Sequence, residues 1–309
     1  MEVPNGDKFR LTVVLTEFVG IMGVSLAQNL DDGTHIVGLM IFTMIVCTQS
    51  MSGGHLNPAL TLGVFIERAK WVSYGAWAFI IIVFQFLGSL CGVGIGWMLR
   101  VTVHSRTDAD EDYYVPGQYP FYPKIVDETR GLPAYGQVFL AELLGSMVFI
   151  LVVLNVKDDI LLRGVNPIYY PICATATLVG LTIMFKEVSG GLFNPAVALS
   201  QIIWQNLAAK LGRQKDEVYW TPEYATCYIL APFVGGFMAG NIFGYQKRLY
   251  QKMELDLVDR EDEGEETAVA GRRMKKDKRM ARTNETITSG QTLNTEVQMT
   301  DRGMLRNRN

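Results

Sequence analysis

The sequence predicts an all-α membrane protein: six transmembrane helices and two re-entrant half-helices arranged as an inverted repeat. Three observations carry that prediction. Apolar runs near 20 residues long, almost free of charge, recur between residues 11 and 245 and then cease. The octet Ser52-Gly53-Gly54-His55-Leu56-Asn57-Pro58-Ala59 returns as Ser189-Gly190-Gly191-Leu192-Phe193-Asn194-Pro195-Ala196. Each octet follows an apolar run and opens a shorter apolar stretch of about three turns, too short to cross a bilayer. One Asn-Pro is an ordinary turn starter. Two, at matching places in matching halves, mark broken helices at membrane depth where something passes through.

The elements follow in order. The first span covers 11–30; it contains Glu17 and lacks a small-residue cleavage site, so it reads as a retained helix. Spans 34–51 and 73–99 come next, with the short segment 57–66 between them. A long extracellular connection at 100–135 carries acids, then aromatics and prolines, and is expected to fold over the outer mouth. Spans 136–156, 168–186 and 223–245 complete the second half, with the short segment 194–205 before the last. Each repeat, about 11–99 and about 136–245, holds three spans, and an odd number inverts the second relative to the first. Gly88, Gly92 and Gly96 in the third span match Gly236, Gly240 and Gly244 in the sixth. Glycines four apart let helices approach closely, so the trio predicts a packing role in both halves.

Charge placement sets the orientation. Eight Lys and Arg residues fall on one side and about 20 on the other, tail included, which puts both termini in the cytoplasm. Residues 1–10 form a short cytoplasmic N-terminus. Residues 249–309 form a polar cytoplasmic tail, largely disordered by composition. Within it Asp259–Glu266 holds six acids and Arg272–Arg282 seven basic residues, a pattern suited to anionic lipid or a cytoplasmic protein. Cys47, Cys91, Cys173 and Cys227 lie in apolar runs and read as small buried hydrophobes; their spacing fits no zinc site. No nucleophile–base pair, metal cluster or phosphate loop is evident. The sequence therefore predicts neither an enzyme nor a cofactor or metal site, and no nucleic-acid partner. It predicts a multi-pass protein of the plasma membrane or an organelle membrane.

Backbone that is not helical at membrane depth must be satisfied by protein or by water. Gly53, Gly54, His55 and Leu56 in one loop, and Gly190, Gly191, Leu192 and Phe193 in the other, are expected to run extended and turn carbonyl oxygens toward a polar path. Asn57 and Asn194 then cap the half-helices through their side-chain oxygens. Pro58 and Pro195 take the first helical position, where a missing N–H costs nothing. Each Asn amide is expected to remain free to donate. Each half-helix start carries about +0.5 of a charge. Two such ends meeting at mid-membrane oppose a cation or hydrated proton and leave donors for water. Glu17 and Glu142 stand at matching places in the first and fourth spans. They are read as acceptors for the backbone donors of the loop in their own half, against the sharper alternative of proton relays.

These motifs together resemble the aquaporin (major intrinsic protein) family over residues 11–248. The resemblance rests on Glu17, the loop ending His55-Leu56-Asn57-Pro58-Ala59, Gln85 with Gly88, Glu142, the second Asn-Pro-Ala through Ala196, and Pro232-Phe233-Val234-Gly235. It implies one pore per subunit, a homotetramer in membrane lipid, and passage of water or small neutral solutes. It also implies a four-residue outer constriction, which falls at Val37, Thr182, Gly191 and Val197. Family members usually have arginine where this chain has Val197. The set has no ring, imidazole or cation, so a wide, weakly polar constriction is expected. Lys186, one turn beyond Thr182, is a candidate vestibule charge, against the alternatives of snorkelling to headgroups or pairing with Glu187. His55 is placed in the inner vestibule, with a buried structural role as the alternative. Two other readings stay open: a proton-coupled secondary transporter using Glu17 and Glu142, and a structural membrane protein with a nearly closed pore.

Overall fold

The computed structural model describes residues 7–30, 33–69, 71–104, 135–158, 161, 164–210 and 222–304. Among these, every regular element is a helix. They are α1 (Asp7–Leu30), α2 (Thr34–Thr48), α3 (Pro58–Arg68), α4 (Trp71–His104), α5 (Tyr135–Lys157), α6 (Tyr169–Phe185), α7 (Pro195–Lys210) and α8 (Pro222–Met304). The stretches Leu11–Leu30, Tyr74–Leu99, Tyr135–Lys157 and Ala225–Leu257 are long and apolar enough to cross a membrane. α2 and α6 are shorter than the 34–51 and 168–186 expected, at 15 and 17 residues. The reason is the same in both halves. The chain leaves the helix early through tight turns, Ser52 N–H donating to Thr48 O and Ser189 N–H to Phe185 O, both at 2.9 Å. Those residues begin the two Gly-Gly loops, so each helix stops where its loop starts.

Two related halves are visible in the packing. α1 lies along α4 and α2, α5 lies along α6, α2 meets α6, α7 packs on α4, and α3 touches α4, α5 and α7. Glycine decides how closely the long helices approach. A Cβ on Gly88 would sit 2.3 Å from the Phe18 carbonyl oxygen, and one on Gly92 would sit 2.3 Å from that of Met22. The α4 backbone is therefore pressed against α1. In the second half the residue that plays this part is Gly235, whose added Cβ would lie 2.5 Å from the Leu143 carbonyl oxygen on α5.

Gly236 and Gly240 look elsewhere, toward the Ala59 and Gly63 carbonyl oxygens of half-helix α3, at 2.3 and 2.5 Å from an added Cβ. The match of Gly88, Gly92 and Gly96 to Gly236, Gly240 and Gly244 is thus one residue out of register. One residue is about 100° around a helix, enough to change the neighbour. Gln85-Phe86-Leu87-Gly88 aligns instead with Pro232-Phe233-Val234-Gly235.

The polarity of the interior is reversed from that of a water-soluble bundle. Glu17, Gln85, Ser89, Glu142 and Gln201 are fully buried, while Leu39, Phe79, Met184 and Phe237 face outward. Apolar side chains on the outside suit a lipid solvent, and polar groups inside must find partners there. The cysteines depart from expectation: only Cys227 is buried, Cys173 is intermediate, and Cys47 and Cys91 are exposed on the outer helix surface.

Residues Met1–Lys247 form one compact unit and Arg248–Asn309 a second. The second is helical through Met304, where composition alone leads one to expect a largely disordered tail. After Pro232 it contains no proline, and it is rich in Glu, Lys, Arg and Met, all strong helix formers. Low hydrophobicity argued against a packed core there, and its described side chains are mostly exposed. A solvated helix needs no core. The expected cover over the outer mouth, in the 100–135 connection, lies mostly outside the described residues.

Candidate functional site

The two loops repeat one backbone recipe. Gly53 and Gly54 have φ of 91° and 60°, Gly190 and Gly191 have 85° and 68°, and the residue before each asparagine is also left-handed, Leu56 at 49° and Phe193 at 53°. These conformations favour glycine and strain a leucine or phenylalanine. The loops are curled rather than extended. At their ends Asn57 Oδ1 accepts from Ala59 N–H at 2.9 Å, and Asn194 Oδ1 from Ala196 N–H at 3.1 Å. Pro58 and Pro195 open α3 and α7.

The asparagine amides are not left free. Asn57 Nδ2 donates to the Phe193 carbonyl at 2.8 Å, and Asn194 Nδ2 donates to the Leu56 carbonyl at 2.9 Å. Each half-helix start is bonded to the opposite loop by a reciprocal pair. An amide carries two N–H groups, so one per asparagine remains beyond this bond. Sequence reasoning missed the crossing because it joins residues 136 and 138 positions apart.

Behind each loop stands a carboxylate. Glu17 accepts from Ser52 Oγ at 2.5 Å, His55 N–H at 2.9 Å, Leu56 N–H at 2.7 Å and Gln85 Nε2 at 2.8 Å. Glu142 accepts from Ser189 Oγ at 2.7 Å, Leu192 N–H at 3.1 Å and Phe193 N–H at 2.7 Å. The halves differ at one donor, because Pro232 stands where Gln85 does. Buried carboxylates bonded this fully act as anchors that hold donors of a strained loop.

Several loop carbonyls are taken by side chains of other helices. Lys157 Nζ donates to Gly53 O at 2.7 Å, and Tyr170 Oη to Gly54 O at 2.6 Å. Tyr228 Oη donates to Ser189 O, and Thr182 Oγ1 to Gly191 O at 2.9 Å. Lys157, Tyr170 and Tyr228 carry no motif and lie far from the loops in sequence, so only the fold identifies them.

A cavity of about 80 Å³ lies against both asparagines. At roughly 10–15 Å³ per water, it has room for several. Val37, Thr182, Gly191 and Val197 all line it, as do His55, Leu56, Leu192, Gln28, Thr34 and Tyr170. Among the described residues, no charged side chain does. His55 Nδ1 lies 3.2 Å from Thr61 Oγ1, which fixes the ring while leaving it on the wall. Gly191 fits only as glycine: an added Cβ would stand 2.7 Å from Thr182 Cα.

Four expected loop residues are elsewhere. Gly53, Gly54, Gly190 and Phe193 do not line the cavity. The Phe193 ring is fully buried, packed edge-on to Phe185 and over Gly145, whose absent side chain makes its room. Its contribution is its carbonyl. Lys186 is exposed and off the cavity wall, because it caps α6 on the outer helical surface.

Comparison with known proteins gives the following. The sequence profile of the family described as Major intrinsic protein matches residues 11–124. The chain is 27% identical over 230 residues to the probable aquaporin PIP-type pTOM75 of Solanum lycopersicum, covering 73% of this chain and 66% of that protein. It is 27% identical over 242 residues to the probable aquaporin PIP1-5 of Arabidopsis thaliana, covering 75% and 72%. It is 26% identical over 228 residues to the probable aquaporin PIP1-2 of Oryza sativa subsp. japonica, covering 72% and 64%. The chain thus spans just under two thirds of the tomato and rice proteins. Among solved structures, the aquaglyceroporin from Plasmodium falciparum superposes with a TM-score of 0.59 at 18% identity, covering 76% of this chain and 96% of that one. At that identity the likeness concerns the fold alone.

Proposed function

We propose that this chain is a member of the major intrinsic protein family and a passive channel for water and small uncharged solutes. The observation that carries the reading is the crossing of the two asparagine amides beside one cavity. A reciprocal bond between two half-helix starts brings their positive ends together. A cation between them loses hydration and meets like charge, whereas a water molecule finds a donor on each side.

Val37, Thr182, Gly191 and Val197 form the selective constriction in this reading. Two valines and a glycine offer a permeant molecule little hydrogen bonding. Thr182 offers less than a free hydroxyl would, since it already donates to Gly191 O. Water gives up hydration in such a ring without full replacement, while a solute with apolar surface loses less. The solute class is therefore small and uncharged, with water as first candidate, in keeping with relatives described as aquaporins. Both termini lie in the cytoplasm, four copies assemble in the membrane, and the protein carries out no covalent chemistry. Glu17 and Glu142 hold loops rather than relay protons, because their oxygens are occupied by donors.

Reconstituted full-length protein in vesicles tests this. Stopped-flow swelling should show water flux above that of empty vesicles, linear in the osmotic gradient and indifferent to a proton gradient. Solute flux that saturates and follows protons would replace the channel with a transporter. No flux above empty vesicles would leave a structural role.

A further inference from the structure

We propose that Lys157 is the charge filter of this pore, a fixed cation at its inner mouth that takes over the part left vacant at Val197. This rests on the channel reading above. The outer ring and the cavity wall hold no charged side chain among the described residues, and Lys186 lies off the wall. Cation rejection would otherwise rest on half-helix partial charges alone.

Lys157 ends α5 and is turned back into the protein rather than out to water. Its Nζ lies 2.7 Å from the Gly53 carbonyl oxygen and 4.7 Å from the centroid of the Tyr170 ring. That ring lines the cavity, and its hydroxyl donates to Gly54 O. The ammonium is therefore one aromatic ring away from the permeation path, held by a carbonyl and a π-face. Neither partner carries a negative charge, so neither neutralises it. The nearest motif carboxylate, Glu17, sits behind the loop and is engaged by four donors; like Lys157 it does not line the cavity, and its charge also acts on the ammonium. Asp158, the next residue, pairs with Lys247 at 2.7 Å, and Lys247 also pairs with Glu67 at 2.8 Å, which occupies a further nearby acid. Coulomb repulsion from one unit charge across low-dielectric protein acts on permeant cations and leaves neutral solutes untouched.

The test uses full-length protein in vesicles, with K⁺ leak and water flux measured on the same preparation. Lys157→Gln removes the charge but keeps a donor for Gly53 O. It should raise K⁺ leak roughly tenfold while water flux stays at the wild-type level. Lys157→Arg should restore exclusion. Tyr170→Phe removes the bond to Gly54 O but keeps the ring and the charge, so its leak should equal wild type. Lys157→Met gives a second neutral variant should the glutamine not reach the membrane. Wild-type K⁺ leak in a neutral variant with normal water flux would overturn this inference alone. A leak as large in Tyr170→Phe would overturn it too, since loop loosening would then be the cause. Wild-type vesicles no more water-permeable than empty ones would remove the channel reading, and this inference with it.

Discussion

Leu56 and Phe193 hold left-handed backbone that costs of order 1 kcal/mol or more for a residue with a side chain. The strain has a geometric purpose. It aims the carbonyl of each toward the asparagine amide of the other loop, and it aims the N–H groups toward Glu17 and Glu142. Glycine would relieve the strain but leave two holes, since Leu56 fills the space over Gly20 and Phe193 that over Gly145. At Val197 the side chain is buried on the cavity wall, 1% exposed. Val197→Arg should therefore place a cation and a longer side chain in a space of about 80 Å³. Glycerol flux in vesicles should fall by about tenfold, the effect of ~1.4 kcal/mol on a barrier, with water flux reduced less. Glycerol flux equal to wild type would sink the assignment of Val197 to the constriction.

At the scale of elements, the two halves are alike in plan and unequal in fastening. The Glu17 anchor has a side-chain donor from α4, Gln85, and the Glu142 anchor has Pro232 of α8 at that place. Hydrogen bonds to a charged group contribute about 1.5–3 kcal/mol each, and an orphaned buried donor costs about 1–3. Glu17→Gln should thus lower stability by about 2–4 kcal/mol, and Glu142→Gln by less. Thermal unfolding in detergent reads the difference; equal losses would mean that Gln85 adds nothing. The glycines at helix contacts belong to the same scale. Gly88 and Gly235 admit a neighbouring helix backbone, and their one-residue offset from the spacing read in the sequence shows that a repeat period does not fix which face a helix presents.

Over the whole molecule, the chain divides into two compact units, Met1–Lys247 and Arg248–Asn309. Unit Met1–Lys247 contains both loops, both anchors and the cavity. A chain ending at Lys247 should conduct water as the full chain does, measured by vesicle swelling; loss of flux would assign the tail a part in the open pore. The peptide 249–309 should bind vesicles of anionic lipid through its basic run, at about 1 kcal/mol per basic residue near the surface, and release as salt rises. No binding at low salt would point to a protein partner instead.

The order of the spans, the two half-helices and the inverted plan were legible in residues 11–245, because hydrophobic length and a repeated octet are local signals. Asparagine caps and proline starts were legible for the same reason: they depend on neighbours within one turn. Tertiary structure alone decided which groups meet. The asparagine amides cross to carbonyls more than 130 positions away, Lys157 and Tyr170 close on Gly53 and Gly54, and Phe193 turns its ring from the cavity. Such contacts are set by how helices rotate and approach, which glycine clearance and ring packing determine at the level of ångströms. A sequence periodicity specifies a helix and its apolar content, but an apolar exterior and an apolar interior look alike to it, and the polar bonds between helices leave no mark in local order.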